Sequence, residues 1–136
     1  MKKNEKSFTL IELMIGTVII GISLFSLLSG LVATYKLSES TRNTIIAAED
    51  GRRVVEQMRS FCGDSLNLIV NEDWSLWAAA NGCSNLSQEQ ILVAFIDRDS
   101  SGDPFDDNPL EVIVNVTWQE FGRWRILNFH NLFTHR

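Results

Sequence analysis

The chain has 136 residues, a formal net charge of -5 and 45 % apolar residues. An acidic balance argues against nucleic-acid phosphate as a partner, because phosphate calls for a basic patch. About 100 residues are left once the N-terminal apolar run is set aside, enough for one modest core that would welcome a disulfide or a partner.

The first element is an apolar run from Phe8 to about Ala33, reading FTLIELMIGTVIIGISLFSLLSGLVA. From Leu13 to Ala33 it holds 21 residues with no charge and no proline. As a helix such a run spans about 30 Å, roughly the hydrocarbon core of a bilayer. Lys2, Lys3 and Lys6 precede it, which predicts a cytoplasmic N-terminus and a head on the other side of the membrane. The run is long for a secretory signal, and no clear A-x-A-like site follows it. Neither a signal nor a plain anchor requires Glu12. A carboxylate at the start of a spanning helix is costly in hydrocarbon unless it snorkels or is paired, so Glu12 is a candidate functional residue.

The string Lys6-Ser7-Phe8-Thr9-Leu10-Ile11-Glu12, followed by the apolar run, resembles the leader and N-terminal segment of type IV pilins and of type II secretion pseudopilins. The resemblance implies cleavage between Ser7 and Phe8 by a membrane prepilin peptidase, with methylation of the new Phe8 amine. Ser7 stands where glycine is usual and is likewise small. The proline that major pilins often carry about twenty residues into the mature helix is absent; Ser29 and Gly30 are its nearest softer counterpart. The resemblance also implies that Glu12 pairs with the N-terminal amine of a neighbouring subunit. Two charges that are each costly in lipid then become one neutral pair, which sets axial register at about 1.5 Å per residue. The small residues of the run, Gly16, Thr17, Gly21, Ser23, Ser26, Ser29 and Gly30, suit close helix packing between subunits.

The next stretch, from Lys36 to Phe61, turns polar but keeps a helical period. Its apolar stripe runs through Ile45, Ile46, Ala48, Val54, Val55, Met58 and Phe61, and Glu49 is spaced to pair with Arg52 or Arg53. This predicts one continuous helix from about Phe8 to Phe61. Gly51 interrupts the stripe, either as a tolerated glycine or as the place where a sheet comes close. Cys62-Gly63-Asp64 ends the helix. Cys62 and Cys83 would both lie where disulfides persist, and one disulfide closing a loop of about 20 residues, worth about 3 kcal/mol, is the expectation. Two buried free thiols are the alternative.

Within that loop LNLIV reads as a short strand. WSLWAAANG reads as a strand edge or short helix ending in an Asn81-Gly82 turn, with Trp74 and Trp77 core or half-buried. Gln90 to Ile96 is a nearly continuous apolar run, hence a central strand. Glu111 to Trp118 alternates, with Val112, Val114, Val116 and Trp118 facing one way. Gln119 to Arg123 forms the turn, and Trp124 to Phe129 returns as the hairpin partner. The tail HNLFTHR covers an edge or hangs loose.

The fold class is therefore α+β: a long N-terminal helix packed on a small antiparallel sheet of three or four strands. Its divisions are a leader at 1–7, a membrane or filament-core helix at 8–34, an amphipathic half at 35–62 and a β-rich head at 63–136. After the strand Gln90 to Ile96, the loop Asp97-Arg98-Asp99-Ser100-Ser101-Gly102-Asp103 resembles the opening of a calcium loop. Oxygens stand at its first, third, fifth and seventh positions (Asp97, Asp99, Ser101, Asp103) and glycine at the sixth, but the twelfth position is Asn108 and not glutamate. The other reading is a solvated turn stiffened by Pro104 and Pro109.

Enzymatic chemistry finds no support. His130 and His135 have no metal-ligand pattern beside them, and no nucleophile elbow, phosphate loop or CxxC is present. What the resemblance implies is a structural subunit, a minor type IV pilin that primes or modulates pilus assembly. The alternatives are a minor pseudopilin of type II secretion, or a pilus-displayed module for adhesion or DNA uptake. Its implied partners are other pilin or pseudopilin subunits, the prepilin peptidase, an inner-membrane assembly platform and the lipid bilayer. Its implied place is the bacterial inner membrane, single-pass, with a periplasmic head, and then a pilus or pseudopilus.

Overall fold

The computed structural model describes residues 9–62, 66–98, 101–102 and 109–134. The chain divides into two units, Met1–Glu39 and Ser40–Arg136. One helix, α1 (Leu10–Phe61), contributes to both. It starts after Thr9, whose carbonyl accepts the N–H groups of Glu12 and Leu13 at 3.0 and 3.2 Å. No proline interrupts it, so the helical period runs unbroken for 52 residues.

In the first unit the described residues are helical from Leu10 onward, and their apolar side chains point outward on every side. Thr17, Ser23, Ser26, Ser29 and Thr34 turn their hydroxyls back onto carbonyls three or four residues earlier, at 2.8 to 3.0 Å. These five hydroxyls are thus satisfied within the helix itself, as an apolar solvent would require.

In the second unit the C-terminal part of α1 packs on a three-stranded antiparallel sheet, ordered β1 (Gln90–Ile96), β2 (Leu110–Glu120), β3 (Arg123–Phe133). The helix buries Ala47, Asp50, Gly51, Val54, Val55 and Met58, a spacing of three and four that gives one face. This face is rotated from the expected stripe, since Ile45 is more than half exposed and Ala47 and Asp50 take the inward places. Gly51 lies where the sheet comes close: a Cβ there would run into the Phe129 ring. Arg52 pairs with Glu56 at 3.1 Å and Arg53 with Asp50 at 3.9 Å, in place of the expected Glu49 pairs.

β2 is the central strand. Leu110, Val112, Val114, Val116, Trp118 and Glu120 all face the core, in strict alternation with half-buried neighbours. β1 was expected in the centre and lies at an edge, paired only with β2. The helix α3 (Trp74–Ala80) packs beside it, and of its apolar run Ile91 alone is buried, with Leu92 more than half exposed. LNLIV is not a strand but helix α2 (Leu66–Asn71). WSLWAAA is α3, capped by Asp73, whose carboxylate accepts the N–H groups of Ser75 and Leu76 at 3.1 Å. Trp74 is buried, with its indole N–H on the Ile69 carbonyl at 2.6 Å, and Trp77 is half-buried beside it. Most of the C-terminal tail continues β3 as far as Phe133, which is buried.

The expected disulfide is absent: Cys62 and Cys83 are both free. Each thiol serves a different neighbourhood. Cys62, at the end of α1, turns to the Thr134 carbonyl just past β3 at 3.6 Å. Cys83, after α3, joins the buried core beside Asp50 and Arg53. The excursion between them is held instead by its helices and by the tilted ring contacts of Phe61 with Trp74 and of Trp74 with Trp77.

Gly51→Val is expected to destabilise the head by about 1–3 kcal/mol, by overpacking against Phe129. The double variant Gly51→Val with Phe129→Ala should cost less than the two changes added separately, read from denaturant midpoints of the detergent-solubilised chain.

Candidate functional site

In the first unit every large apolar side chain from Leu10 to Leu37 is more than half exposed. Burying one such side chain is worth about 1.5–3 kcal/mol, so leaving this surface in water would cost tens of kcal/mol. The segment is long and apolar enough to cross a membrane. Gly16, Gly21 and Gly30 have open space around them, so nothing within the chain demands glycine there. Glu12 lies in the first turn of α1 with its side chain exposed. A carboxylate in that position is favoured by the helix dipole. Ser7 and Phe8, the expected processing site, lie outside the described residues.

The head holds two acidic centres that reading along the sequence did not single out. The first is Glu120, which continues the inward alternation of β2 after Trp118. It is almost fully buried, and its oxygens are all used. Ser40 donates to Oε2 at 2.9 Å, Asn43 to Oε1 at 3.0 Å, and Arg125 to Oε2 at 3.2 Å. Burial by itself would raise its pKa. The hydrogen bonds from Asn43 and Ser40 and the Arg125 charge outweigh that, and hold the carboxyl below the ordinary glutamate value. This clasp ties the tip of the β2–β3 hairpin to α1 at Ser40 and Asn43.

The second centre joins Asp50, Asn85 and Glu89. Asp50 occupies an inward helical position between Ala47 and Val54, and Asn85 donates to it at 3.2 Å. Glu89 accepts the Leu86 N–H at 2.9 Å with one oxygen, while its other oxygen is buried without a hydrogen-bond partner. Burial and the nearby Asp50 push the Glu89 pKa up. Protonating Glu89 would supply the missing donor between the two acids. Both centres carry a detectable signal: a charged residue in an inward slot of an otherwise apolar period.

The acidic loop is described in part. Asp97 accepts the Gly102 N–H at 2.8 Å, with Gly102 at positive φ, so the loop closes on its first residue. Asp99 and Asp103, two of the four expected calcium donors, lie outside the described residues, and Ser101 is exposed. Nearby, Glu111 on β2 faces Arg98 at 3.7 Å and His130 at 3.9 Å. Among the described residues no group of three or more His, Cys, Asp or Glu side chains is placed to hold a metal ion. An open groove of about 370 Å³ between α1 and β3 is lined by Ala48, Val55, Phe129 and the Arg52–Glu56 pair. Arg59 also lines it, and none of these side chains is a hydroxyl or thiol nucleophile.

Residues 2–28 match the family model described as the prokaryotic N-terminal methylation motif. That motif is here joined to one long helix packed on a small antiparallel sheet. The two together match the type IV pilin-like family. No curated protein and no solved structure gives a match to the chain. The likeness thus rests on the N-terminal motif and on the α+β architecture.

The two acids give the pilin-like head opposite pH dependences. Folding lowers the Glu120 pKa, so its stabilisation is complete above the ordinary glutamate value and drains away as pH falls through the lowered one. Folding raises the Glu89 pKa, so its protonated form favours the fold, and that stabilisation is lost as pH rises through the raised value. Glu89→Gln is expected to raise the denaturation midpoint at neutral pH, with the gain vanishing in acid. Glu120→Gln is expected to lower it at neutral pH and to flatten the acid limb.

The thiols give a simpler readout. Cys62 is half-buried, whereas Cys83 is buried and its pKa is pushed up by burial and by Asp50. In the native protein a maleimide is expected to add at Cys62, and at Cys83 only after denaturant is added, as counted by intact mass.

Proposed function

We propose that this chain is a structural subunit of a type IV pilus-like filament, a minor pilin that primes or modulates assembly. The observation that carries the reading is the membrane-length helix with every large apolar side chain outward and one carboxylate in its first turn. Such a surface needs an apolar environment, either lipid or the helices of like subunits. The internally bonded hydroxyls and the unfilled space at Gly16, Gly21 and Gly30 suit both. Glu12 then takes the free amine of a neighbour's Phe8, after the peptidase has cut behind Ser7. In lipid each of these charges is costly alone, so the pair favours one axial register over its neighbours. The reading as a minor subunit rests on a resemblance of sequence: VIVNVTW, a turn and RWRILNF resemble the last hairpin of small accessory pilins. Before assembly the chain waits in the inner membrane with its head in the periplasm, where the assembly platform draws it into the filament.

Glu12→Ala is expected to insert and be processed normally but to be lost from sheared filaments, measured as the ratio of filament-bound to membrane-bound protein. Incorporation at the parent's level would overturn the pairing. Mass spectrometry of the membrane-extracted chain should find methylated Phe8 as the first residue; an N-terminus at Met1 would overturn processing.

A further inference from the structure

We propose that the tip of the β2–β3 hairpin, with Phe121, Arg123 and Trp124, is a docking surface for an anionic lipid bilayer. The inference rests on the membrane anchoring argued above.

The tip is built to show aromatic rings. Phe121 and Gly122 form the two-residue turn between Glu120 and Arg123, both with positive φ (48° and 74°). Gly122 adopts that conformation freely, but an aromatic residue does so only under strain. The strained Phe121 is 53 % exposed, so burying its ring in the head's core is not what the strain achieves. On the outward face of β3, Trp124 is 60 % and Ile126 61 % exposed. Phe121, Trp124 and Ile126 are thus large apolar side chains exposed at or next to the turn, and Arg123, exposed on the other face of β3, adjoins them in sequence.

The occupant follows from charge and from chain length. The tip's carboxylate, Glu120, is buried and taken up by Arg125, Asn43 and Ser40. Arg123 on the tip and Arg42, beside the clasp residues on α1, are both exposed. The surface is therefore basic and aromatic in an otherwise acidic chain, which fits the headgroup layer of an anionic membrane. The clasp fixes the tip to Ser40. Ser40 follows Ala33 by seven residues, so chain length alone keeps it within about 25 Å of the end of the apolar run. At a membrane interface an amphipathic side chain such as Trp124 or Arg123 is stabilised at both its ends.

The test uses the full chain in vesicles of phosphatidylethanolamine and phosphatidylglycerol, with acyl chains brominated near the headgroup. Trp74 and Trp118 are buried and Trp77 half-buried, so Trp124 is the tryptophan open to quenching from outside the head. Expected is a loss of emission in the brominated vesicles that disappears in Trp124→Phe, and weakens in Arg123→Glu or when phosphatidylglycerol is left out. Flotation with the vesicles is measured alongside. A chain that floats but whose Trp124 is unquenched by bromine overturns the docking surface and leaves the anchor standing. Protection of Trp124 from aqueous acrylamide without bromine quenching does the same, and points to a protein neighbour. A chain that does not float overturns the anchor and the docking surface together.

Discussion

An apolar helix cannot be left in water, and much of this protein follows from that. The side chains from Leu10 to Leu37 have no covering within their own chain. A globular protein resolves such a surface by folding over it, and this one does not. The hydroxyls of Thr17, Ser26 and Thr34 are turned inward to their own helix's carbonyls, so that these groups do not call for water. The helix is therefore complete only in lipid or among other helices, and one carboxylate in its first turn is the feature that could tell one neighbour from another.

The head solves a different problem, that of burying charge. Glu120 and Asp50 occupy inward places in a strand and a helix that are otherwise apolar. Glu120 is fully provided for by three donors, so its charge is kept and its pKa falls. Glu89, facing Asp50, is not, and its pKa rises. The contrast shows that burial alone does not set the sign of a shift; the number of donors aimed at the oxygens does. The same three donors also fix where the β2–β3 turn sits along α1, so a local electrostatic solution becomes a positional one.

The fold class was legible because it rests on periods. The 3.6-residue period of α1, the strict alternation of β2 and the turn around Gly122 survive any detail of packing. The errors were of a different kind. The apolar run of β1 reads the same whether a strand has neighbours on both sides or on one, and here β2 is its one neighbour and Ile91 alone of the run is buried. LNLIV is too short for its period to separate strand from helix. Cys62 and Cys83 were paired by compartment logic, but pairing needs geometry, and their thiols serve opposite neighbours.

By itself the sequence determined the membrane-length helix, the leader-like motif that precedes it, the single carboxylate in its first turn and the α+β order of the head. Each is a property of consecutive residues, so the order of side chains along the chain is enough. Only the tertiary structure decided that Gly51 meets Phe129, that Glu120 is held by Ser40 and Asn43 some eighty residues earlier, and that the cysteines stay apart. Those facts depend on which distant faces meet, and a one-dimensional period carries no information about that.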